Sequence, residues 1–474
     1  MSTLQIAQGD GGTIGIDAAA VENLRASLRG RLLMPGDPGY DESRTVWNAM
    51  IDRKPALIAR CMGVADVRAA VNFARKHKLL TAIKGGGHNI AGSAVCDRGF
   101  QIDLSGMKSV YIDPNSKTAH VEPGATLRDL DHEAQEFGLA TPLGINSTTG
   151  VAGLTLGAGF GWFSRKRGMT IDNLKAVDIV TANGEFLRAN NRENSDLFWA
   201  IRGGSGNFGI VTRFEFKLYP LGPDVLTGLV VYDLNEGVSV LKQYRDYVKK
   251  LGDETTIWTV LRHAPPLPFL PESFHGKEMV AFAMFHSGKP EKGEKAFKQV
   301  RKFGKVIGEH IGLQPYKMWQ QTFDPLLAPG ARNYWKSHNF TDIPDGLIDV
   351  VIQYASKLPS PQCEIFFGGI GGATTRVKPD ETAYPHRDAI YVMNVHGRWD
   401  NAADDEQCIS WAREYFRESA PFATGGVYVN FMSDDEAGRV ESAYGGHFMK
   451  LSAVKKKYDP ENLFRMNQNI KPAF

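Results

Sequence analysis

Lys84-Gly85-Gly86-Gly87-His88-Asn89 is the stretch on which the reading of this 474-residue chain turns. Three consecutive glycines let a backbone run close to a bulky anionic group and aim several N–H donors at it. A histidine straight after such a bend sits where the remainder of a bound nucleotide cofactor would begin. The flanks support a phosphate-cradling loop. Before it come a strand over Ala56–Cys61, a helix over Asp66–His77 and a strand over Leu79–Ile83. The helix rests on Val67, Ala70, Val71 and Ala74 at three- and four-residue spacings, with Asp66 acidic at its start. A further strand, Phe100–Leu104, follows, completing a small α/β unit.

Further along, a strand at Thr118–Val121, a Pro123-Gly124 turn and a helix over Leu127–Phe137 ended by Gly138 are expected. Asn183-Gly184 between Asn173–Thr181 and Glu185–Ala189 signals a hairpin. Gly204-Ser205-Gly206-Asn207-Phe208-Gly209 matches the dinucleotide-binding GxGxxG pattern, but that motif needs a strand before it and a helix after. Here a helix over Asp196–Ile201 precedes it and the strand Ile210–Leu218 follows, so the Rossmann reading fails. After Pro220 the character changes. Strands at Leu226–Tyr232, Ile257–Leu261, Met279–His286, Glu364–Gly368 and Tyr391–His396 alternate with longer polar helical stretches such as Glu291–Gly304. The chain therefore divides into an N-terminal arm (1–44, loosely structured with a short helix near Val21–Leu32), a cofactor domain (45–220), a substrate domain on an antiparallel sheet (221–420) and a C-terminal return (421–474). The fold class is α+β.

Bulk properties exclude several functions. The 55 basic and 53 acidic residues leave a net charge of +2, which gives no reason to expect nucleic acid or a membrane surface as partner. No apolar run approaches bilayer-spanning length, and the N-terminus lacks a secretory signal, which reads as a soluble cytoplasmic protein. Cys61, Cys96, Cys363 and Cys408 are scattered without a CxxC pair, so no metal site or disulfide framework is indicated.

A second rich segment runs from Gly144-Ile145-Asn146-Ser147-Thr148-Thr149-Gly150 to Gly161-Trp162. Six glycines mixed with small hydroxyl side chains make a wide backbone surface, of the kind an isoalloxazine ring needs along its polar edge and face. Together with the first loop, with Arg202–Val211 and with Tyr458-Asp459-Pro460-Glu461-Asn462-Leu463-Phe464, this segment resembles the vanillyl-alcohol-oxidase-type flavoproteins. Within them it is similar to the berberine-bridge-enzyme-like oxidoreductases, over about Thr45 to Phe474. Val46-Trp47-Asn48 fits the same pattern with less weight, and Trp47 and Asn48 are expected simply to pack. The resemblance implies a two-part FAD-binding domain interrupted by an inserted substrate domain whose antiparallel sheet is covered by helices.

It also implies roles. His88 would carry FAD through an 8α-histidyl bond. Many relatives add a cysteine tether at the position of Asn146, so a single tether is expected here, raising the cofactor's reduction potential. Gly85, Gly86, Gly87, Asn89, Gly92, Ser93, Gly144, Asn146, Thr149, Gly150, Gly153, Leu154, Gly161, Val211, Tyr428, Asn430 and Asn467 would contact FAD, with Thr149 at the oxygen-gating position. Tyr428 and Asn430 are expected on one face of a strand Val427–Phe431, and Asn394 and His396 on one face of theirs. Tyr428, Asn394 and His396 are the candidate catalytic residues. A tyrosine serves as base only with a well-depressed pKa, and an amide takes no proton, which leaves Tyr428, His396 or a substrate group. Glu364 could point either way, and His386 and Arg387 read as structural. The activity implied is hydride removal from an alcohol, hemiacetal or amine C–H of a small metabolite, with O2 as acceptor. A dehydrogenase with another acceptor and a silent flavin-fold binding protein are the alternatives, and a homodimer is compatible with the pattern.

Overall fold

The computed structural model describes residues 3–474. The region flanking the triple glycine forms a four-stranded sheet in the order Arg31–Leu33, Leu57–Arg60, Phe100–Asp103, Thr81–Lys84, its last three strands parallel. The helix Val64–Lys76 buries Val67, Ala70, Val71 and Ala74 against it, the face its spacing marks out. A five-stranded antiparallel sheet follows, ordered Phe186–Asn190, Leu174–Val180, Ile210–Lys217, Thr118–Val121, Val110–Asp113. Its hairpin turns at Gly184, whose φ of +75° suits glycine. The helix Leu127–Gln135 starts at a Thr126–Asp129 capping box.

The N-terminal arm is more ordered than expected. Thr3–Ala7 and Thr13–Asp17 form a hairpin, Ala18–Ser27 a helix, and Arg31–Leu33 joins the first sheet. Ile6, Ile16, Val21, Leu24 and Leu32 are buried in the core of that sheet, so this segment is held by tertiary packing that its short local patterns do not advertise.

The second lobe is a seven-stranded antiparallel sheet, ordered Val306–Pro315, Asp224–Asp233, Glu278–His286, Thr255–His263, Glu364–Gly369, Tyr391–Trp399, Arg332–Phe340. Sequence reading finds the five central strands and misses both edges. Val306–Pro315 is half-exposed throughout, and Arg332–Phe340 buries Asn333, Lys336, Ser337, His338 and Asn339, so neither shows apolar alternation. Side chains on the central strands alternate between two faces. Ile257, Leu261, Val280, Phe282, Met284, Ile365, Phe367, Met393 and Val395 pack under the helices Gly237–Val248, Asp345–Ala355 and Asp405–Ser419. Their neighbours Trp258, Val260, Arg262, Ala281, Ala283, Glu364, Phe366, Asn394 and His396 face the other way, into a cavity against the first lobe. Period-two geometry thus hands one face of the sheet to stability and the other to chemistry.

The last fifty residues pack back on the first lobe. Tyr444, Leu451, Val454, Tyr458 and Ile470 share a core with Phe198, Phe208 and Phe214. Lys455, fully buried, donates to Asp459 Oδ2 (2.6 Å), Asn207 O and Phe464 O, while Asp459 accepts from the N–H groups of Leu463 and Phe464. Asn207 Oδ1 in turn accepts from Ile470 N–H. The Gly204–Gly209 turn and the terminal Asp459 motif are therefore two halves of one buried knot, and the GxGxxG match is structural, preceded by the helix Ser195–Ile201 and followed by the strand Ile210–Lys217 as expected.

Candidate active site

A cavity of about 430 Å³ lies between the lobes. One wall is the triple-glycine bend, which leaves the strand Thr81–Lys84 and is pinned where it begins: buried Lys84 Nζ donates to Ser43 O (2.7 Å) and Thr45 O (2.9 Å). Gly86 meets the second glycine segment backbone to backbone; a Cβ there would lie 2.5 Å from Gly150 Cα and N. Among the described residues, none of the N–H groups of Gly86, Gly87, His88 and Asn89 donates to a protein acceptor, though all four residues line the cavity. A run of N–H groups left free at one cavity wall is a ready anion cradle.

His88 closes this wall. Its ring stacks on Trp47, centroids 5.2 Å apart and planes 19° from parallel, and Nε2 lies 3.0 Å from Thr148 Oγ1. Burial alone drives its pKa down to about 4, so the ring is neutral at physiological pH. Thr148 Oγ1 also donates to Asn146 Oδ1 (2.7 Å), which accepts the Thr148 backbone N–H as well (3.0 Å). Asn48 ties this wall to the second lobe, exchanging hydrogen bonds with the Asn333 backbone and donating to Ile90 O.

The opposite wall belongs to the antiparallel sheet. Glu364 accepts from Arg262 Nη1 (2.8 Å), and its other oxygen lies 3.4 Å from His396 Nδ1. Burial works to raise the Glu364 carboxyl, but Arg262 and His396 outweigh it and hold it below the usual carboxylate range. His396 is lowered by burial despite the pull of Glu364, and its Nε2 is 3.0 Å from Asn333 Oδ1. Asn394 is 1 % exposed, and neither its Nδ2 nor its Oδ1 has a protein partner. A buried amide with both functions free, facing a cavity, is built to meet a ligand. Around these polar groups stand Trp258, Phe366, Trp335, Phe160, Trp162 and Phe431.

Tyr428 and Asn430 meet in the cavity wall, though not as strand neighbours. Val429–Phe431 is a 3-10 turn with no pairing partner, and the two side chains converge because the turn, rather than alternation, brings Asn430 Nδ2 to 3.0 Å from Tyr428 Oη. Tyr428 Oη also accepts from Gly159 N–H (3.1 Å). Burial raises this phenol to about 12 against those two donors, so it holds its proton at neutral pH.

Of the residues expected to contact the cofactor, Gly85, Gly86, Gly87, His88, Asn89, Gly144, Asn146, Thr149, Gly150, Gly153, Leu154, Tyr428 and Asn430 line this one cavity, together with Asn394 and His396. Gly92, Ser93, Gly161, Val211 and Asn467 do not. Ser93 N–H binds Asn89 Oδ1, Gly161 packs on the Leu143 backbone, Val211 is 3 % exposed in the core, and Asn467 donates to Phe464 O. Sequence reading underrated Trp47, which it left as packing, and did not single out Thr148 or Arg262. Glu364, left undecided, points into the cavity. His386 and Arg387 are structural as read: His386 bonds Ala443 O and Arg387 forms a two-pronged pair with Asp172.

The free N–H run, the close Gly86–Gly150 contact and the aromatic-walled space fit a flavin dinucleotide, with the glycine bend for its pyrophosphate and His88 beside its ring. Comparison with known proteins agrees. Residues 55–190 match the family model for an FAD binding domain, and residues 427–471 match the model described as berberine and berberine like. The chain is 31% identical over 449 residues to an FAD-linked oxidoreductase of Dictyostelium discoideum, covering 94% of this chain and 95% of that one. It is 29% identical to (R)-6-hydroxynicotine oxidase of Paenarthrobacter nicotinovorans, covering 94% and 97%. The crystal structure of 6-hydroxy-D-nicotine oxidase from Arthrobacter nicotinovorans superposes with a TM-score of 0.85 at 28% identity, over 94% of this chain and 99% of that one. Among the described residues no helix is long and apolar enough to cross a membrane.

Proposed function

We propose that this chain, which belongs to the berberine-bridge-like family of FAD-linked oxidoreductases, oxidises a C–H bond beside an alcohol or amine nitrogen in a small, largely apolar molecule and passes the electrons to O2. FAD, when bound, supplies the hydride acceptor, and His88 holds it through a single covalent bond. The observation that carries the reading is the unpartnered, buried Asn394 amide facing the glycine cradle across an aromatic space.

The roles follow from chemistry. Asn394 offers one donor and one acceptor to the substrate's hydroxyl or amine and so sets which C–H faces the cofactor. Glu364 is the one carboxylate in the cavity wall and is ionised, so it takes the proton released from that oxygen or nitrogen. His396 and Arg262 fix the carboxylate and limit its basicity. Tyr428, with its raised pKa, keeps its proton, which moves the base from the phenol to the carboxylate. An oligosaccharide would need a partner for each of many hydroxyls. A wall of Trp258, Trp162, Phe160 and Phe366 does not offer them, and this favours an apolar alcohol or a heterocyclic amine. The similarity to a hydroxynicotine oxidase supports the amine.

Anaerobic titration of the purified yellow protein with a panel of apolar alcohols, cyclic amines and oligosaccharides tests this. Bleaching by an apolar donor, with one peroxide formed per donor oxidised in air, is the expected result. Bleaching without peroxide would replace O2 by another acceptor, and no bleaching by any donor would leave a binding protein.

A further inference from the structure

His88 can meet a cofactor carbon with only one of its nitrogens, and which one depends on where its single proton sits. Three contacts decide this. The Thr148 backbone N–H points at Asn146 Oδ1 (3.0 Å), which fixes the amide with its oxygen toward Thr148. Thr148 Oγ1 lies 2.7 Å from that same oxygen. An amide oxygen only accepts, so the one hydroxyl proton of Thr148 is committed to it. His88 Nε2, 3.0 Å from Thr148 Oγ1, therefore meets a lone pair and must carry the ring proton. Nδ1 is left bare, with no hydrogen-bond partner among the described residues, in a ring that Trp47 holds flat from one side.

We propose that Thr148 and Asn146 are positioning residues for covalent cofactor attachment: their relay fixes His88 as the Nε2–H tautomer and presents Nδ1 as the nucleophile toward the flavin's 8α-carbon. This rests on the covalent reading above and goes beyond it, because it says which nitrogen bonds and why. Asn146 then has a function in the place where relatives put a second tether. In the step, Nδ1 forms an N–C bond to the 8α-carbon, which gives up one proton. The electron pair of that C–H bond stays with the flavin, a two-electron reduction, while the Nε2 proton is released to solvent. O2 takes the two electrons and two protons as hydrogen peroxide, so one imidazole, one methyl group and one O2 give one N–CH2 link and one H2O2. A neutral ring is required throughout, and the burial that lowers the His88 pKa provides it.

The test uses full-length protein produced with limited flavin, then given FAD, with covalent flavin read as colour retained in the acid-precipitated pellet over time. Thr148→Val should bind as much total flavin as the wild type yet couple it about tenfold more slowly, the effect of one lost hydrogen bond. Thr148→Ser, which keeps the hydroxyl, should couple at the wild-type rate, and Asn146→Leu should slow coupling as Thr148→Val does. Nitrogen NMR of the flavin-free wild type should show His88 protonated at Nε2 and bare at Nδ1, a readout that needs no variant to fold. Coupling at the wild-type rate in Thr148→Val, or a proton on Nδ1, overturns the relay while leaving the tether intact. Wild-type flavin found wholly in the supernatant, or pellet flavin surviving in His88→Ala, overturns the tether itself and the relay with it.

Discussion

Asp131 offers the clearest quantitative handle on how the two lobes are held around the cavity. It sits on the helix Leu127–Gln135, 3 % exposed, and its Oδ2 accepts from Gln320 Nε2 (3.0 Å), which also donates to the cavity residue Gly144. Burial raises its pKa to about 7, the Gln320 bond opposing only part of that. The unfolded value is about 3.9, and at about 1.4 kcal/mol per pH unit the difference is worth about 4 kcal/mol. The native carboxyl keeps its proton to higher pH than the unfolded chain does. The stabilisation is therefore complete only below about pH 4 and is lost as the pH rises to and through 7. Between about pH 5 and about pH 8 the loss is about 2.5 kcal/mol, and Asp131→Asn, which cannot ionise, escapes it. Thermal unfolding followed at both pH values should show the wild type losing on the order of 2–3 °C more than the variant over that interval. Parallel pH profiles for the two proteins would refute the placement of a protonated carboxyl between the lobes.

Other perturbations probe the site and its frame. Gly86→Ala puts a Cβ within 2.5 Å of the Gly150 backbone, where nothing flexible can give way, and should yield protein whose flavin-to-protein absorbance ratio falls at least about tenfold. Glu364→Gln should slow flavin reduction by the donor, followed anaerobically by stopped flow, by about 100-fold or more while the bound-flavin spectrum persists; an unchanged rate would remove Glu364 as the base. Lys455→Met strips the only cation from a fully buried pair and leaves Asp459 unbalanced, at about 3–5 kcal/mol, readable as a drop in unfolding temperature of the holoprotein. Asp196→Ala, which breaks a surface pair with Lys457 and the bond from the Tyr458 hydroxyl, should cost only about 1–2 kcal/mol in the same assay.

How far the sequence carries the account varies with the element. The triple glycine and the Gly144–Gly161 segment are legible because close backbone approach forbids any other residue, and such a constraint is local. The central strands of the second lobe are legible because one face is apolar in every second position. The edge strand Arg332–Phe340 is not, since its buried Asn333 and Lys336 meet partners distant in the chain, His396 and Arg398 at the amide oxygen and Asp435 at the ammonium. The Val427–Phe431 stretch misleads for the opposite reason: it alternates like a strand, yet no neighbour is there to pair with it, and it coils into a turn.

What the sequence by itself determined is the cofactor class and its cradle, since glycines at fixed spacing dictate backbone shape without help from elsewhere. The surroundings of the titratable groups were settled only by the tertiary structure. Glu364 became a cavity carboxylate because the strand register sets it opposite Arg262 and beside His396. Tyr428 keeps its proton because burial raises its phenol. His88 acquired a defined proton because Thr148 and Asn146 lie against it from about sixty residues away. Protonation depends on who stands within about 3 Å, and that is a property of packing, not of the order of residues along the chain.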